Sequence, residues 1–254
     1  MMVTSSMCVR RIAAGGGRNE TRHNRFCKGA QETTDVTLLL ENVTISVHGR
    51  VLLSDLNARI EPGQVLAVMG ASGSGKSSLL AWIAGTLEAP FTARGTLMLG
   101  GIDLADTPIQ RRRIGMLFQD DMLFPHLSVL GNLLFALPAT TRAASRFTAG
   151  DRQARVRSAE EALEGAGLGG FGPRLPGSLS GGQRSRVSLL RALLAAPAAI
   201  LLDEPFSKLD TTLREQMRQF TFASIAARRV PALLVTHDAA DVPPGAQCIR
   251  LGDA

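Results

Sequence analysis

Apolar and polar positions alternate in two different rhythms along this chain. From Val36 onward, "VTLLLENVTISV" and "VLLSDLNARI" carry the period-two pattern of strands, with "HGR" as the turn between them. "QVLAVMG" is a short, continuous apolar run, the pattern of a strand buried on both faces. It runs into "ASGSGKSSLLAWIAGTL", a glycine-rich loop followed by a helix. "GTLMLGGIDL" predicts a further strand pair and "RIGMLFQ" another buried strand. The rhythm then turns helical in "SVLGNLLFAL" and "DRQARVRSAEEALEGAGL". A helix from Ser185, the apolar strand "AILLDE", a helix near Leu213–Ala227, the strand "ALLVTHD" and a last strand "CIRL" complete the series. Strands and helices in this order predict an α/β fold with a mostly parallel sheet and right-handed crossovers.

Two segments stand apart. Residues 1–36 show little periodicity and a triple glycine, and read as a disordered tail or as sequence upstream of the real start. Residues of about 120–178 read as a helical subdomain inserted into the α/β domain, which occupies 37–254.

Composition narrows the class. Of 254 residues, 45% are hydrophobic and 20% charged, the balance of a globular protein. The richest apolar stretch, "LLRALLAAPAAILL", is interrupted by Arg191 and Pro197 and is too short to span a bilayer, so a membrane role would come through a partner. The net charge of +6 is dispersed apart from Arg111–Arg113 and the tail, which argues for a solvated face and against nucleic acid as a partner. Three scattered cysteines make no disulfide framework or metal spacing and fit a reducing, cytosolic compartment.

The chemistry starts at "GASGSGKS". A strand–loop–helix carrying G-x-x-x-x-G-K-S is a phosphate cradle. Gly70, Ala71, Ser72, Gly73, Ser74 and Gly75 form a loop whose N–H groups face an anion. Lys76 adds a point charge for the outer phosphates, Ser77 a hydroxyl for Mg²⁺, and Ser78 reaches the inner phosphate. "AILLDE" puts Asp203 at the end of a buried strand, where a carboxylate holds Mg²⁺ directly or through water. Glu204 follows, aimed differently, as a general base for water. A second anion site stands in "LSGGQ": Ser180 caps a helix N-terminus, and Gly181 and Gly182 let a ligand approach it. One domain with two phosphate sites is the puzzle this sequence sets.

These motifs resemble the ATP-binding cassettes of ABC transporters, and they do so in family order. "GASGSGKSS" matches the Walker A loop, "FQDDMLFPHLSV" the Q-loop, "LSGGQ" the signature, "ILLDEP" Walker B, "SKLD" the D-loop and "VTHD" the H-loop. The resemblance implies a P-loop NTPase fold with an N-terminal antiparallel β subdomain beside the core sheet and an inserted helical one. It implies ATP and Mg²⁺, with Gln119 near the metal and the attacking water, His237 at the γ-phosphate and Asp210 at a dimer contact. It also resolves the puzzle, because such cassettes pair head to tail, the signature of one facing the Walker A loop of the other. The family's adenine-stacking aromatic has no counterpart at "SVHGR", where His48 is the nearest candidate. "LPGSLSGGQRSRVSLLRALLAAP" resembles import-type cassettes near the thiamine and ferric-ion importers. That implies a peripheral subunit on the cytoplasmic face of the inner membrane, working with a membrane permease and, indirectly, a periplasmic solute-binding protein. A soluble ABC ATPase or an exporter-coupled cassette is the alternative.

Overall fold

A computed structural model describes residues 36–138 and 149–252. The tail expected over 1–36 thus lies, but for Val36, outside the described residues. The chain opens with β1 (Leu38–Val47) and β2 (Arg50–Ile60), paired antiparallel. Next come β3 (Val65–Gly70), α1 (Lys76–Ala84), β4 (Phe91–Leu99), β5 (Ile102–Asp103) and β6 (Ile114–Leu117). Two helices follow, α2 (Val129–Ala136) and α3 (Ala149–Gly165), and then α4 (Gly181–Leu194), β7 (Ala199–Asp203), α5 (Thr211–Arg228), β8 (Ala232–Val235) and β9 (Gln247–Leu251).

Two sheets result. One is antiparallel, in the order β2-β1-β4-β5; the other is parallel, in the order β6-β7-β8-β3-β9. Successive residues on a strand face opposite sides, and here both sides are filled. Ile200 and Leu202 of β7, with Ala232 and Leu234 of β8, pack against α2–α5. Leu201, Leu233, Val235, Leu66 and Val68 pack the other way, against α1 and the antiparallel sheet. Hence "AILL" and "ALLV" are apolar without interruption.

Three of these helices, α2, α4 and α5, begin at a side chain that accepts from one of their first N–H groups. Ser128 accepts from the Gly131 amide at α2, Ser180 from Gln183 at α4 and Asp210 from Leu213 at α5. At α4 the Gln183 side chain also accepts from the Ser180 amide, closing a capping box. The cap expected at Ser180 is formed, and the helix starts at Gly181, four residues before the Ser185 that the apolar rhythm suggested; the two glycines are its first residues.

Asn132 on α2 is fully buried and pins the segment ahead of its own helix. Its carbonyl accepts from the Phe124 amide (2.8 Å), and its side-chain amide donates to the carbonyls of Phe124 (3.1 Å) and Ser128 (3.0 Å). Replacing it with alanine takes away the acceptor of the half-buried Phe124 amide and the side-chain donor to the Leu127 carbonyl (3.2 Å), while the carbonyls of Phe124 and Ser128 keep the backbone amides of Leu127 and Asn132. Asn132→Ala should lower unfolding stability by about 1–3 kcal/mol. The urea midpoint measures this; an unchanged midpoint would show that water takes over these bonds at no cost.

Candidate functional site

All five parallel strands point the same way, so the loops after β3, β6, β7 and β8 leave from one edge of the sheet, where ligands bind in open α/β folds. A cavity of about 510 Å³ opens there. The loop after β3 supplies Gly70, Ser72, Gly73, Gly75, Lys76, Ser77 and Ser78 to its lining; the other loops bring Gln119, Asp203, Glu204 and His237.

The loop after β3 is shaped by one tight approach. Gly70 has φ +155°, and a Cβ there would stand 2.4 Å from the Leu251 carbonyl oxygen on neighbouring β9. Only glycine fits. The chain then turns so that Lys76, nearly buried, donates back to the carbonyls of Gly70 (2.8 Å) and Ala71 (2.7 Å). These contacts hold the ammonium over the loop's mouth. Ser74 takes a different part from its neighbours: its hydroxyl is buried without a partner, turned toward Gly70 beneath the loop, and it does not line the cavity. Ala71 is exposed beside the opening.

The two carboxylates differ in environment. Asp203 ends β7 in register with Val235 of β8, which lies between it and β3, so one strand separates this carboxylate from the phosphate loop's own strand. Burial pushes its pKa above the ordinary 3.8, the Glu204 carboxylate adds to the rise, and Lys76 opposes it. Glu204 leaves the strand with φ +46°, a left-handed conformation that costs a non-glycine residue about 1–3 kcal/mol. Its amide still bonds the Val235 carbonyl (2.9 Å), and this fixes the bend. The bend turns the side chain toward His237, whose Nδ1 lies 3.1 Å from Glu204 Oε1.

His48 is not brought to the site. It and Gly49 are the two central residues of the β1–β2 turn, at φ +48° and +78°, the geometry of a two-residue hairpin. Its side chain is exposed and outside the cavity lining. The aromatic wall comes from Phe91, beside Val47 on the paired strand, with Leu52 completing an apolar side. Sequence reading missed Phe91 because it started that strand at Gly95. Gly95, at φ +124°, marks an irregularity within β4 rather than its beginning.

Ser180, Gly181 and Gly182 lie outside the cavity lining of their own chain. Ser180 is exposed, and the two glycines, as the first helical residues, have N–H groups without intrahelical acceptors.

The loop and its lysine form an anion nest at a helix N-terminus. Across from them, a serine hydroxyl and a half-buried carboxylate suit a cation held mainly by phosphate oxygens. Among the described residues no group of three or more His, Cys, Asp or Glu gathers as a metal site; Mg²⁺ bound through substrate phosphates and one or two carboxylates needs none. Fold and site together define a nucleoside triphosphatase of the P-loop class.

The comparisons with known proteins narrow that class. The family described as ABC transporter matches residues 53–207. Over 206 residues the chain is 44% identical to the ABC transporter ATP-binding protein YnjD of Escherichia coli (strain K12), covering 81% of this chain and 91% of that one. It is 40% identical over 202 residues to the Fe(3+) ions import ATP-binding protein FbpC of Brucella melitensis biotype 1, covering 80% of this chain and 54% of FbpC. The chain thus spans about half the length of that iron-import relative. The solved dimeric structure of the ATP-binding cassette MJ0796 in a post-hydrolysis state, bound to ADP and Pi, matches with a TM-score of 0.72 and 31% identity, over 85% of this chain and 94% of that one. The chain belongs to the ABC transporter family and has the fold of its ATP-hydrolysing cassettes.

The raised pKa of Asp203 has a sign that stability measurements read. A carboxylate whose folded pKa lies above its unfolded value favours folding while protonated, and that contribution is lost as pH rises from about 3.8 through the folded pKa. Asp203→Asn removes the charge and keeps the shape. It should therefore raise the unfolding midpoint at pH 7, and the gain should shrink toward pH 4. Denaturant titrations at both pH values check this; a variant less stable at pH 7 would mean that the attraction of Lys76 outweighs burial.

Proposed function

We propose that this chain is the ATP-hydrolysing subunit of an ABC importer for a small solute. It works as a head-to-tail homodimer on the cytoplasmic face of the membrane, beneath a permease and indirectly served by a periplasmic solute-binding protein. The observation that carries this reading is the position of the signature helix: its capped N-terminus stands outside the cavity of its own chain, free to complete the cavity of another. The import direction is supported by the names of the relatives, among them the sulfate/thiosulfate import ATP-binding protein CysA of Gloeobacter violaceus, 39% identical over 203 residues. No helix among the described residues is long and apolar enough to cross a membrane, in keeping with a subunit that acts through a permease. Met122 (60% exposed) and Phe135 (69%) give the helical segment an apolar face for it, while neighbouring Leu123 packs into the core.

In this reading the N–H groups from Gly70 to Ser78 and the Lys76 ammonium hold the phosphates of ATP. Ser77, Asp203 and Gln119 are the groups that would hold Mg²⁺, which when bound draws charge from the phosphates. Phe91, Val47 and Leu52 offer the apolar wall for the base. Glu204 takes a proton from the attacking water, a step worth about 10²–10⁴-fold. His237 orients that carboxylate through the 3.1 Å contact and stands ready for the γ-phosphate. The charge on Glu204 is needed only at this step, so Glu204→Gln should bind ATP with near wild-type affinity while turnover falls about 10²–10⁴-fold. Steady-state hydrolysis beside a nucleotide-binding titration tests it; near wild-type turnover would remove Glu204 from the base role.

Two-fold symmetry makes the two shared sites equivalent, each chain giving one half to each. A mixed dimer isolates this, with Lys76→Ala on one chain and Ser180→Arg on the other. A shared arrangement leaves one site with both halves damaged and the other intact, so one nucleotide per dimer should be trapped. A site built within one chain would leave none intact. Zero trapping, with wild-type controls working, would overturn the shared site.

A further inference from the structure

Three motif loops of this chain meet at one carboxylate that none of the motif roles uses. Asp121, two residues after Gln119, has a side chain only 15% exposed. Arg184, on the first turns of α4, donates from Nε to its Oδ2 (3.3 Å), and the Lys208 ammonium lies 3.7 Å from its Oδ1. The same Lys208 ammonium donates to the Gln119 carbonyl at 2.7 Å. Arg184 also donates to the carbonyl of Leu179, the residue before Ser180, at 2.7 Å. The Asp121 backbone is gripped as well, its carbonyl accepting from the Ser188 hydroxyl at 2.7 Å. Contact between the loops themselves is tight: a Cβ on Gly182 would meet the Lys208 carbonyl oxygen at 3.3 Å.

Lys208 sits four residues after Glu204 and two before Asp210, so its ammonium crosses from the loop of the proposed base to the loop of Gln119. Asp121 adds the third connection, through Arg184, to the helix start proposed to face the partner's ATP. We propose that Lys208 and Asp121 form a positioning node: Lys208 holds the Gln119 backbone in register with the Glu204 loop, and Asp121 ties both to the signature helix. The node lets the placement of Ser180 on a partner's nucleotide be felt at Gln119 in the chain's own site. Neither residue touches the phosphates; Lys208 and Asp121 both lie outside the cavity lining. Their effect falls on the geometry of hydrolysis and not on nucleotide binding.

This inference rests on the ATPase reading above, and its test separates the two. Lys208→Met keeps the stem and removes the charge; Lys208→Arg restores a donor. In the full chain, Lys208→Met should lower kcat about tenfold, because small displacements of positioned groups cost rate steeply, while KM for ATP stays within about twofold. Amide exchange over residues 119–124 should quicken in the same variant, and Lys208→Arg should recover most of the rate and the protection. Lys208→Met with wild-type kcat and unchanged exchange would overturn the node. So would loss of nucleotide binding along with rate, which would mark Lys208 as a purely structural support. A wild-type chain that hydrolysed no ATP would defeat the ATPase reading instead, and the exchange measurement would still decide whether Lys208 holds the Gln119 segment.

Discussion

Everything at this site depends on a parallel sheet that is buried on both faces. Side chains from Ile200 to Leu202 and from Leu233 to Val235 fill two separate cores, so no polar group can leave a central strand sideways. Polar chemistry is driven to the strand ends. Adjacent strands lie about 4.8 Å apart, and the loops after β6, β7, β8 and β3 therefore emerge side by side. Gln119, Asp203, Glu204, His237 and Lys76 come from positions up to 161 residues apart in the chain (Lys76 to His237), yet line one cavity. The antiparallel sheet closes a further side, since pairing of Val47 with Phe91 presents both to the same opening.

That rigid frame tolerates local cost where the chemistry sits. Asp203 keeps a carboxylate where burial disfavours its charge. Glu204 is held in a left-handed conformation by a bond from its amide to Val235. The Ser74 hydroxyl is buried without a partner. Each feature is unfavourable alone, and the first two are anchored to the cores, Asp203 by following Leu202 and Glu204 by its bond to Val235. Sites under functional demand commonly carry such costs against the stability of their scaffold. The same logic explains why neutralising Asp203 should help folding while removing a proposed metal ligand.

The regular parts of this fold were legible in the sequence because burial writes itself into composition. Two-face burial gives unbroken apolar runs, and β3, β6, β7 and β8 were all readable from them. The phosphate loop was legible for a different reason, that close approach admits only glycine at Gly70. Legibility failed where a local cue competed with a tertiary one. The apolar rhythm set the signature helix at Ser185, although Ser180 was readable as its cap; the Ser180–Gln183 box starts the helix at Gly181. Gly95 suggested a strand beginning, but it interrupts a strand already running, and this hid Phe91. His48 had the right place in the chain for a base contact and the wrong backbone, being spent on a hairpin turn. Asp121 and Lys208, 87 positions apart in the chain, have no pattern in one dimension at all; only packing of α4 against two loops brings them together.

The signature helix raises a question of competition that its own geometry answers. Ser180 is occupied as a cap, its hydroxyl oxygen accepting from the Gln183 amide at 3.3 Å and its amide donating to the Gln183 side chain at 2.9 Å. That engagement does not take it away from a partner's nucleotide. A serine hydroxyl has one hydrogen to donate besides the lone pairs that accept, and the cap uses only acceptance. The donor remains for a phosphate oxygen, together with the first two helical N–H groups of Gly181 and Gly182, which no helical carbonyl can reach. Capping therefore prepares the helix for an anion: it fixes the direction of the N-terminus, leaves its donors outward and aligns the positive end of the helix dipole with them. Arg184, four residues on, holds the Leu179 carbonyl just before the cap and the Asp121 carboxylate on the other side. If Ser180 meets a partner's nucleotide as proposed, any shift that a bound phosphate imposes on it would strain contacts reaching the Gln119 loop, and the cap would be the point where that nucleotide has mechanical purchase on this chain's own site.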